Sequence, residues 1–178
     1  MKKIISILVA ACALVFVSCS KDDVEKTATV ALAGEWYALI EYYDLDDNEW
    51  YEWSDGVHIL TYNTAANVPT EMFIEFDDFV TLQCKIDCDV NALTFGATGK
   101  EYTNLLRDAN GLATTARIYD GKVIPNGALS AAGTPIDAIE FTFETTPDYI
   151  IDGYGLDWPT VQYRVTGYRR TGFVADEP

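Results

Sequence analysis

Between residues 80 and 90 the side chains alternate without a break. Val80, Leu82, Cys84, Ile86, Cys88 and Val90 are apolar, and Thr81, Gln83, Lys85, Asp87 and Asp89 between them are polar. A period of two puts the first set on one face of a pleated strand and the second on the other, so this stretch reads as a half-buried β-strand. The same period returns at Met72, Ile74 and Phe76, at Ile139, Phe141 and Phe143, and at Val161, Tyr163 and Val165. Aromatic and β-branched residues predict further strands over 35–43, 49–53 and 57–63, and 93–100 continues the sheet. Turn residues at 44–48 and at Ser54-Asp55-Gly56 separate these runs. Asp120-Gly121, set between Ile118 and Val123-Ile124, predicts a two-residue hairpin. The one helical candidate is short, over 102–108. About eight strands with turns every dozen residues imply an all-β sandwich or barrel. Sequential hairpins with few long crossovers favour an up-and-down antiparallel barrel.

The first twenty residues predict where the chain works. Lys2 and Lys3 precede an apolar run over 4–17, broken only by Ser6, and Ser18 stands just before Cys19. A basic start, a short apolar core and a small residue at the cut make a secretion leader. The core is too short to span a bilayer, which takes ~20 apolar residues. A cysteine directly after the cut marks a bacterial lipoprotein, whose thiol is lipidated. This divides the chain into a leader at 1–18, a lipidated Cys19 with a flexible tether over 19–32, and a barrel domain over 33–178. An ordinary secreted protein cut near Ala11 or Ser18 is the alternative. Cys12 also follows small residues, but cleavage there would leave the apolar stretch 13–17 exposed on the mature chain. Phe16 stands where such leaders commonly carry leucine. The ending Phe-Val-Ser-Cys resembles lipoproteins of the Bacteroidetes, and Ser20-Lys21-Asp22-Asp23 is similar to their signal for surface display. The expected location is the outer membrane, lipid-anchored, at the cell surface or else on the periplasmic face.

Removing the leader takes away two lysines and no acid. Lysine plus arginine falls from 12 to 10 against 28 acids, so the net charge moves from −16 to −18. Phosphate backbones and anionic headgroups are held by clustered Lys and Arg, so nucleic acid is excluded as a partner and a polybasic membrane grip is disfavoured. Cys84 and Cys88 remain after Cys12 and Cys19 are accounted for. On one strand they lie ~13 Å apart, beyond the ~7 Å that a disulfide spans. They read as small buried hydrophobes, without the partners a metal site needs.

Gly34-Glu35-Trp36 opens the first predicted strand, and Tyr168-Arg169-Arg170-Thr171-Gly172-Phe173 follows the last. Gly-x-Trp at that place resembles the opening motif of lipocalins and their relatives. In that superfamily a basic residue after the last strand packs across the tryptophan and closes the barrel floor, so the resemblance assigns closure to Trp36 with Arg169 or Arg170. The mature chain as a whole resembles a Bacteroidetes family of lipocalin-like lipoproteins, the lipid-binding putative hydrolases. The residues that carry this are 60–65 (Leu-Thr-Tyr-Asn-Thr-Ala), 121–127 (Gly-Lys-Val-Ile-Pro-Asn-Gly), 152–155 (Asp-Gly-Tyr-Gly), Trp158-Pro159-Thr160 and 167–173. The resemblance implies an eight-stranded barrel with an apolar cavity.

Hydrolysis requires a nucleophile or an activated water. The mature serines are Ser20, Ser54 and Ser130, and Gly-x-Ser-x-Gly does not occur. His58, the one histidine, lies near Asp55, and its plain reading is a half-buried strand residue. Asp148, Asp152 and Asp157, with Tyr149, Tyr154 and Trp158, could supply paired carboxylates for glycoside hydrolysis, or form a solvated acidic loop. Asp44, Asp46, Asn48 and Asp55 resemble a calcium loop but place Glu49 where glycine is needed. Trp50-Tyr51-Glu52-Trp53 either projects from the barrel mouth or, as strand, sends two rings into the core, and the core is favoured.

The expectation is a membrane-anchored barrel that binds a small apolar or amphipathic ligand, with no catalytic residue, metal or cofactor. Its predicted ligand residues are Tyr62, Phe76, Ile86, Phe141 and Tyr163. The wider inward set adds Leu60, Ile74, Leu82, Cys84, Phe143 and Val165. The alternatives are an accessory module that binds glycan or an outer-membrane protein through aromatic loops, and a weak hydrolase.

Overall fold

In the computed structural model the described residues are 26–77, 80–106, 115–146 and 161–176. They form nine antiparallel strands: β1 (Gly34–Asp44), β2 (Glu49–Asn63), β3 (Glu71–Phe76), β4 (Leu82–Asp89), β5 (Thr94–Phe95), β6 (Glu101–Thr103), β7 (Thr115–Leu129), β8 (Pro135–Thr146) and β9 (Tyr163–Arg169). The sheet order is β5-β4-β3-β2-β1-β9-β8-β7-β6, and a β5–β7 pairing closes it into a ring. The fold is therefore all-β and up-and-down, of the lipocalin-like kind.

Nine strands occupy eight places. Both β5 and β6 lie between β4 and β7: Phe95 pairs with Cys88 and Gly121, while Glu101 and Thr103 pair with Arg117 and Thr115. Beyond β6, Asn104 bridges to Cys84. The two short strands thus act as one interrupted strand. The helix predicted over 102–108 is replaced here, because Tyr102 turns inward as part of β6 and is buried. The rest of that stretch, from residue 107, lies outside the described residues.

Two predicted turns are bulges inside long strands. At Asp120-Gly121 the chain continues through β7, with a register shift against β8 between Tyr119 and Lys122. Asp120 takes a left-handed φ of 53°. A Cβ on Gly121 would lie 2.3 Å from the Phe95 ring, so this glycine is where β5 packs onto β7. A bulge and a hairpin turn need the same residue types, which is why the local signal named the wrong one. Similarly, Ser54-Asp55-Gly56 lies within β2, where the partners Ala38↔Val57 and Ile40↔Ser54 set Asp55 and Gly56 against the single residue Leu39, and Gly56 has φ 69°.

The inner face is a single apolar core. Trp36, Ile40, Ile59, Met72, Ile74, Phe76, Leu82, Ile86, Phe143 and Tyr163 are all essentially fully buried. Ile74, Phe76, Leu82, Cys84, Ile86, Phe141, Phe143, Tyr163 and Val165 take the inward places their alternation predicts. Cys88 is half-buried at the lower end of β4, and both thiols are free. Burial pushes the Cys84 thiol up to about 12, as expected of an inert core cysteine. Leu32 and Thr29, assigned to the tether by sequence, are fully buried. The segment from Lys26 onward is therefore part of the folded domain.

Candidate ligand-binding site

β8 and β9 set the interior. Phe143 pairs with Tyr163 and Phe141 with Val165, so their side chains share the inner face. The rings of Phe143 and Tyr163 stack at 4.9 Å. Phe76 of β3 reaches across the ring to Phe143 at 5.0 Å and to Phe141 at 6.0 Å, and Phe95 meets Phe141 at 5.6 Å. Four predicted ligand residues, Phe76, Ile86, Phe141 and Tyr163, thus lie in the interior and are buried.

Tyr62 does not. It is half-buried on the outer face, beside Phe73 at 5.3 Å between ring centroids. Its hydroxyl donates to Glu75 Oε2 at 2.5 Å and accepts from Gln83 Nε2 at 2.6 Å. Burial and the Glu75 carboxylate push its phenol up to about 12. Leu60 shares the outward parity. The inner places of β2 belong to Val57, Ile59 and Thr61. Apolar residues occupy both parities of 57–62, so alternation alone does not choose the face. The polar Thr61 turns inward because it has partners there: it accepts from the Trp36 indole N–H at 2.9 Å and donates to the Leu32 carbonyl at 2.7 Å.

That pair belongs to the closed end. The Arg169 guanidinium lies over Trp36, 4.4 Å from the ring centroid. Its Nη1 donates to the Ala33 carbonyl at 2.5 Å and its Nε to Asp137 Oδ2 at 3.2 Å. Gly34 makes room, since a Cβ there would meet Arg169 Nη1 at 2.5 Å. Arg170 points elsewhere and donates to Glu35 Oε2 at 2.7 Å. Of the two arginines proposed for Trp36, Arg169 is the one placed on it.

Among the described residues the opposite end of the ring is built by the β1–β2 hairpin. Above Ile59, β2 pairs with β1 alone, because its ladder with β3 runs only from Ile59 to Asn63. On this free part of the hairpin Tyr42 faces Tyr51 at 5.8 Å and Trp53 at 5.6 Å, with the Trp53 ring edge-on. Tyr42 is the β-partner of Tyr163 and so continues the inner column of rings. Tyr51 and Trp53 are 37% and 43% exposed. The sequence favoured the core for this cluster; the rings are strand residues that stay at the surface. The reason is that no strand beyond β1 pairs with 49–58 among the described residues, and a bulge at Trp53 changes the register. On the outer face Trp50 packs beside Tyr43 and under Arg164, whose guanidinium binds Glu41 through two bonds of 2.7 and 2.8 Å. Asp44, Asp46, Asp47, Glu49, Glu52 and Asp55 all lie along this hairpin. Tyr42 was not singled out from sequence; its place in the odd-even pattern with Ile40 was the available signal.

The remaining chemical candidates are dispersed. His58 is on the outer face, and its partner is Asp77, with Nδ1 to Oδ2 at 3.2 Å, instead of Asp55. Asp55 accepts from the Gly56 amide. Ser130 Oγ accepts from the Thr134 amide within the β7–β8 turn. Asp44 Oδ1 accepts from the amides of Asp46 and Asp47, a turn-forming use of the carboxylate that leaves the 44–48 loop hydrogen-bonded to itself. Cys19 and the loop with Asp148, Tyr149, Asp152, Tyr154, Asp157 and Trp158 lie outside the described residues.

A search of curated proteins gives no match. Among solved structures, a multidomain protein including DUF1735 from Bacteroides ovatus is similar at 11% identity and a TM-score of 0.27, covering 76% of this chain and 48% of that one. The chain spans about half the length of that protein. The family model described as lipid-binding putative hydrolase matches residues 21–174. With an all-β ring closed at one end by Trp36 and lined with aromatic rings, the chain belongs to the lipid-binding putative hydrolase family.

Proposed function

We propose that this protein is an outer-membrane lipoprotein, held by a lipid on Cys19, that binds one small amphipathic ligand at the aromatic mouth of its ring and performs no reaction on it. The observation that carries this reading is the exposed pair Tyr51 and Trp53, set against the half-buried Tyr42 at the head of a buried column of rings. Exposed large aromatics cost solvation unless something covers them, and an acyl chain or flat ring is the partner they suit. A ring of eight places holds packed side chains or one small ligand. Here Phe76, Phe141, Phe143 and Tyr163 pack on one another, so the ligand rests on the mouth rings above them. The family description supports a lipid as the ligand class. Placement of His58 on the outer face, away from that column, supports binding without catalysis.

Native mass spectrometry of the protein purified from its own organism tests this. An added mass is expected on the wild type and absent from Trp53→Ala. A bare protein mass in both contradicts ligand carriage. For the anchor, Cys19→Ala should move the protein from the membrane to the soluble fraction, and a variant that stays on the membrane contradicts it.

The same exposure of Tyr51 and Trp53 supports a second reading, an accessory module that stacks a glycan or an outer-membrane partner on these rings. Sugar or protein binding that is lost in Trp53→Ala, with no response to acyl probes, would put this reading first.

A further inference from the structure

The closed end of the ring carries its own apolar surface. Phe173 and Val174 are 69% and 85% exposed, in the short 3-10 turn region that follows β9. Leu129, also exposed, ends β7 at the same level, where the β7–β8 turn receives the C-terminal segment: the Ala132 amide donates to Asp176 Oδ1, and Thr171 Oγ1 donates to Asp176 Oδ2. Asp176 is itself buried, so this segment is fastened down and presents Phe173 and Val174 outward from a fixed base. Val30, on the N-terminal turn beneath Trp36, is exposed at this end as well.

The N-terminal segment and the charge of the far end identify what this surface meets. The described chain begins at Lys26 on this same end: the Ala28 amide bonds Asn67 in the β2–β3 loop, and Leu32 plugs the floor under Thr61. Cys19 is seven residues before Lys26, a span that reaches at most ~25 Å when fully extended. Any lipid on Cys19 therefore holds this end, and not the aromatic mouth, against the bilayer. Meanwhile the β1–β2 hairpin, with six acids over 44–55, lies at the far end.

We infer that Phe173, Val174 and Leu129 form a membrane-resting face, set into the interfacial region of the bilayer, so that a single lipid anchor and this apolar face together hold the ring upright with its aromatic mouth turned away from the membrane. The inference rests on the lipid anchor proposed above. The lipid holds one end of the chain at the bilayer but leaves the tilt of the ring free, and an apolar contact at that end fixes the tilt. Because the chain is strongly acidic, that contact is apolar and independent of anionic lipid.

The test uses the full chain in phosphatidylcholine vesicles, in a Cys88→Ser background. An environment-sensitive fluorophore is placed by Val174→Cys or, at the far end, by Asp46→Cys. Blue-shifted emission quenched by a lipid-borne quencher is expected at residue 174 and not at residue 46. Adding Phe173→Asp should cut the quenching at residue 174 several-fold. Membrane-bound protein with equal, water-like emission at both sites overturns the inference and leaves the anchor standing. Quenching at residue 174 that persists when Cys19→Ala still sediments with membranes overturns the anchor and leaves the apolar face standing. Protein that does not associate with vesicles at all overturns both.

Discussion

Arg169, near the end of the chain, lies across the indole of Trp36, near the start of the domain, with its guanidinium carbon 4.4 Å from the ring centroid. The same guanidinium satisfies the Ala33 carbonyl and reaches Asp137. One side chain thus ties β1, the N-terminal turn and β8 together at the floor. Arg169→Ala removes the cation–π contact and leaves the Ala33 carbonyl without this donor, so it should lower unfolding free energy by ~1–3 kcal/mol. Arg169→Lys keeps the charge but not the planar fork and should recover less than half of that. Urea unfolding of both variants measures it, and Arg170→Ala is the control expected to cost under ~1 kcal/mol as an exposed ion pair.

The bulge in β7 gives two opposite outcomes one residue apart. Gly121→Ala drives a Cβ into the Phe95 ring and carbonyl, at 2.3 and 2.6 Å. It should destabilise by ~1–3 kcal/mol, the usual cost of overpacking. Asp120→Gly relieves a left-handed backbone at a non-glycine residue, φ 53°, and should be neutral or stabilising by up to ~1 kcal/mol. Thermal unfolding of the two variants checks the sign of each.

Those residues also show what could be read before the structure. The strands around Ile74, Leu82, Phe141 and Tyr163 were legible because their inner and outer positions differ cleanly in polarity. The Trp36–Arg169 meeting was legible only through family resemblance, since no local pattern links residues at opposite ends of a chain. Asp120-Gly121 and Asp55-Gly56 misled because bulges and turns share a need for left-handed or side-chain-free backbone. Tyr62 misled because Leu60 and Tyr62 are as apolar as Val57 and Ile59, and the deciding contact, Thr61 under the Trp36 indole, is long-range. The mouth trio was hidden for a related reason. An aromatic strand residue is buried only if another strand covers it, and where β3 starts along β2 is a property of the ring.

Acid should loosen the floor from outside. The Arg170 guanidinium beside Glu35 holds that carboxyl below its ordinary value, with His58 adding to the effect. A carboxyl depressed in the folded state adds stability that is complete above its unfolded value of ~4.3 and is lost as pH falls through the lower folded value. Glu35→Gln should therefore narrow the stability difference between pH 7 and pH 3, while leaving the shape of the curve above pH 5 unchanged. An unaltered acid limb in the variant would show that Glu35 contributes nothing there.

Ionic strength should tune the mouth. Six acids over 44–55 share the hairpin with the Tyr51 and Trp53 rings, and the Tyr51 hydroxyl bonds one of them, Asp47, so a ligand bearing a carboxylate approaches against their field. Binding of a fatty-acid probe should strengthen severalfold between ~10 mM and ~150 mM salt, as the screening length shortens from ~30 to ~8 Å. A probe with the same chain and a neutral head should show little change over that range.

The most direct measurement is a titration of the protein with a fluorescent acyl-chain probe, run on the wild type, Trp53→Ala and His58→Ala, with urea unfolding of each variant alongside. Trp53 is 43% exposed, so its truncation should leave stability within ~1 kcal/mol. By contrast, Phe143→Ala in the packed column should cost ~3–5 kcal/mol. Saturable binding to the wild type is expected, with the same affinity in His58→Ala and at least tenfold weaker binding in a stably folded Trp53→Ala. Equal binding by wild type and Trp53→Ala, or none by either, would contradict the proposed function.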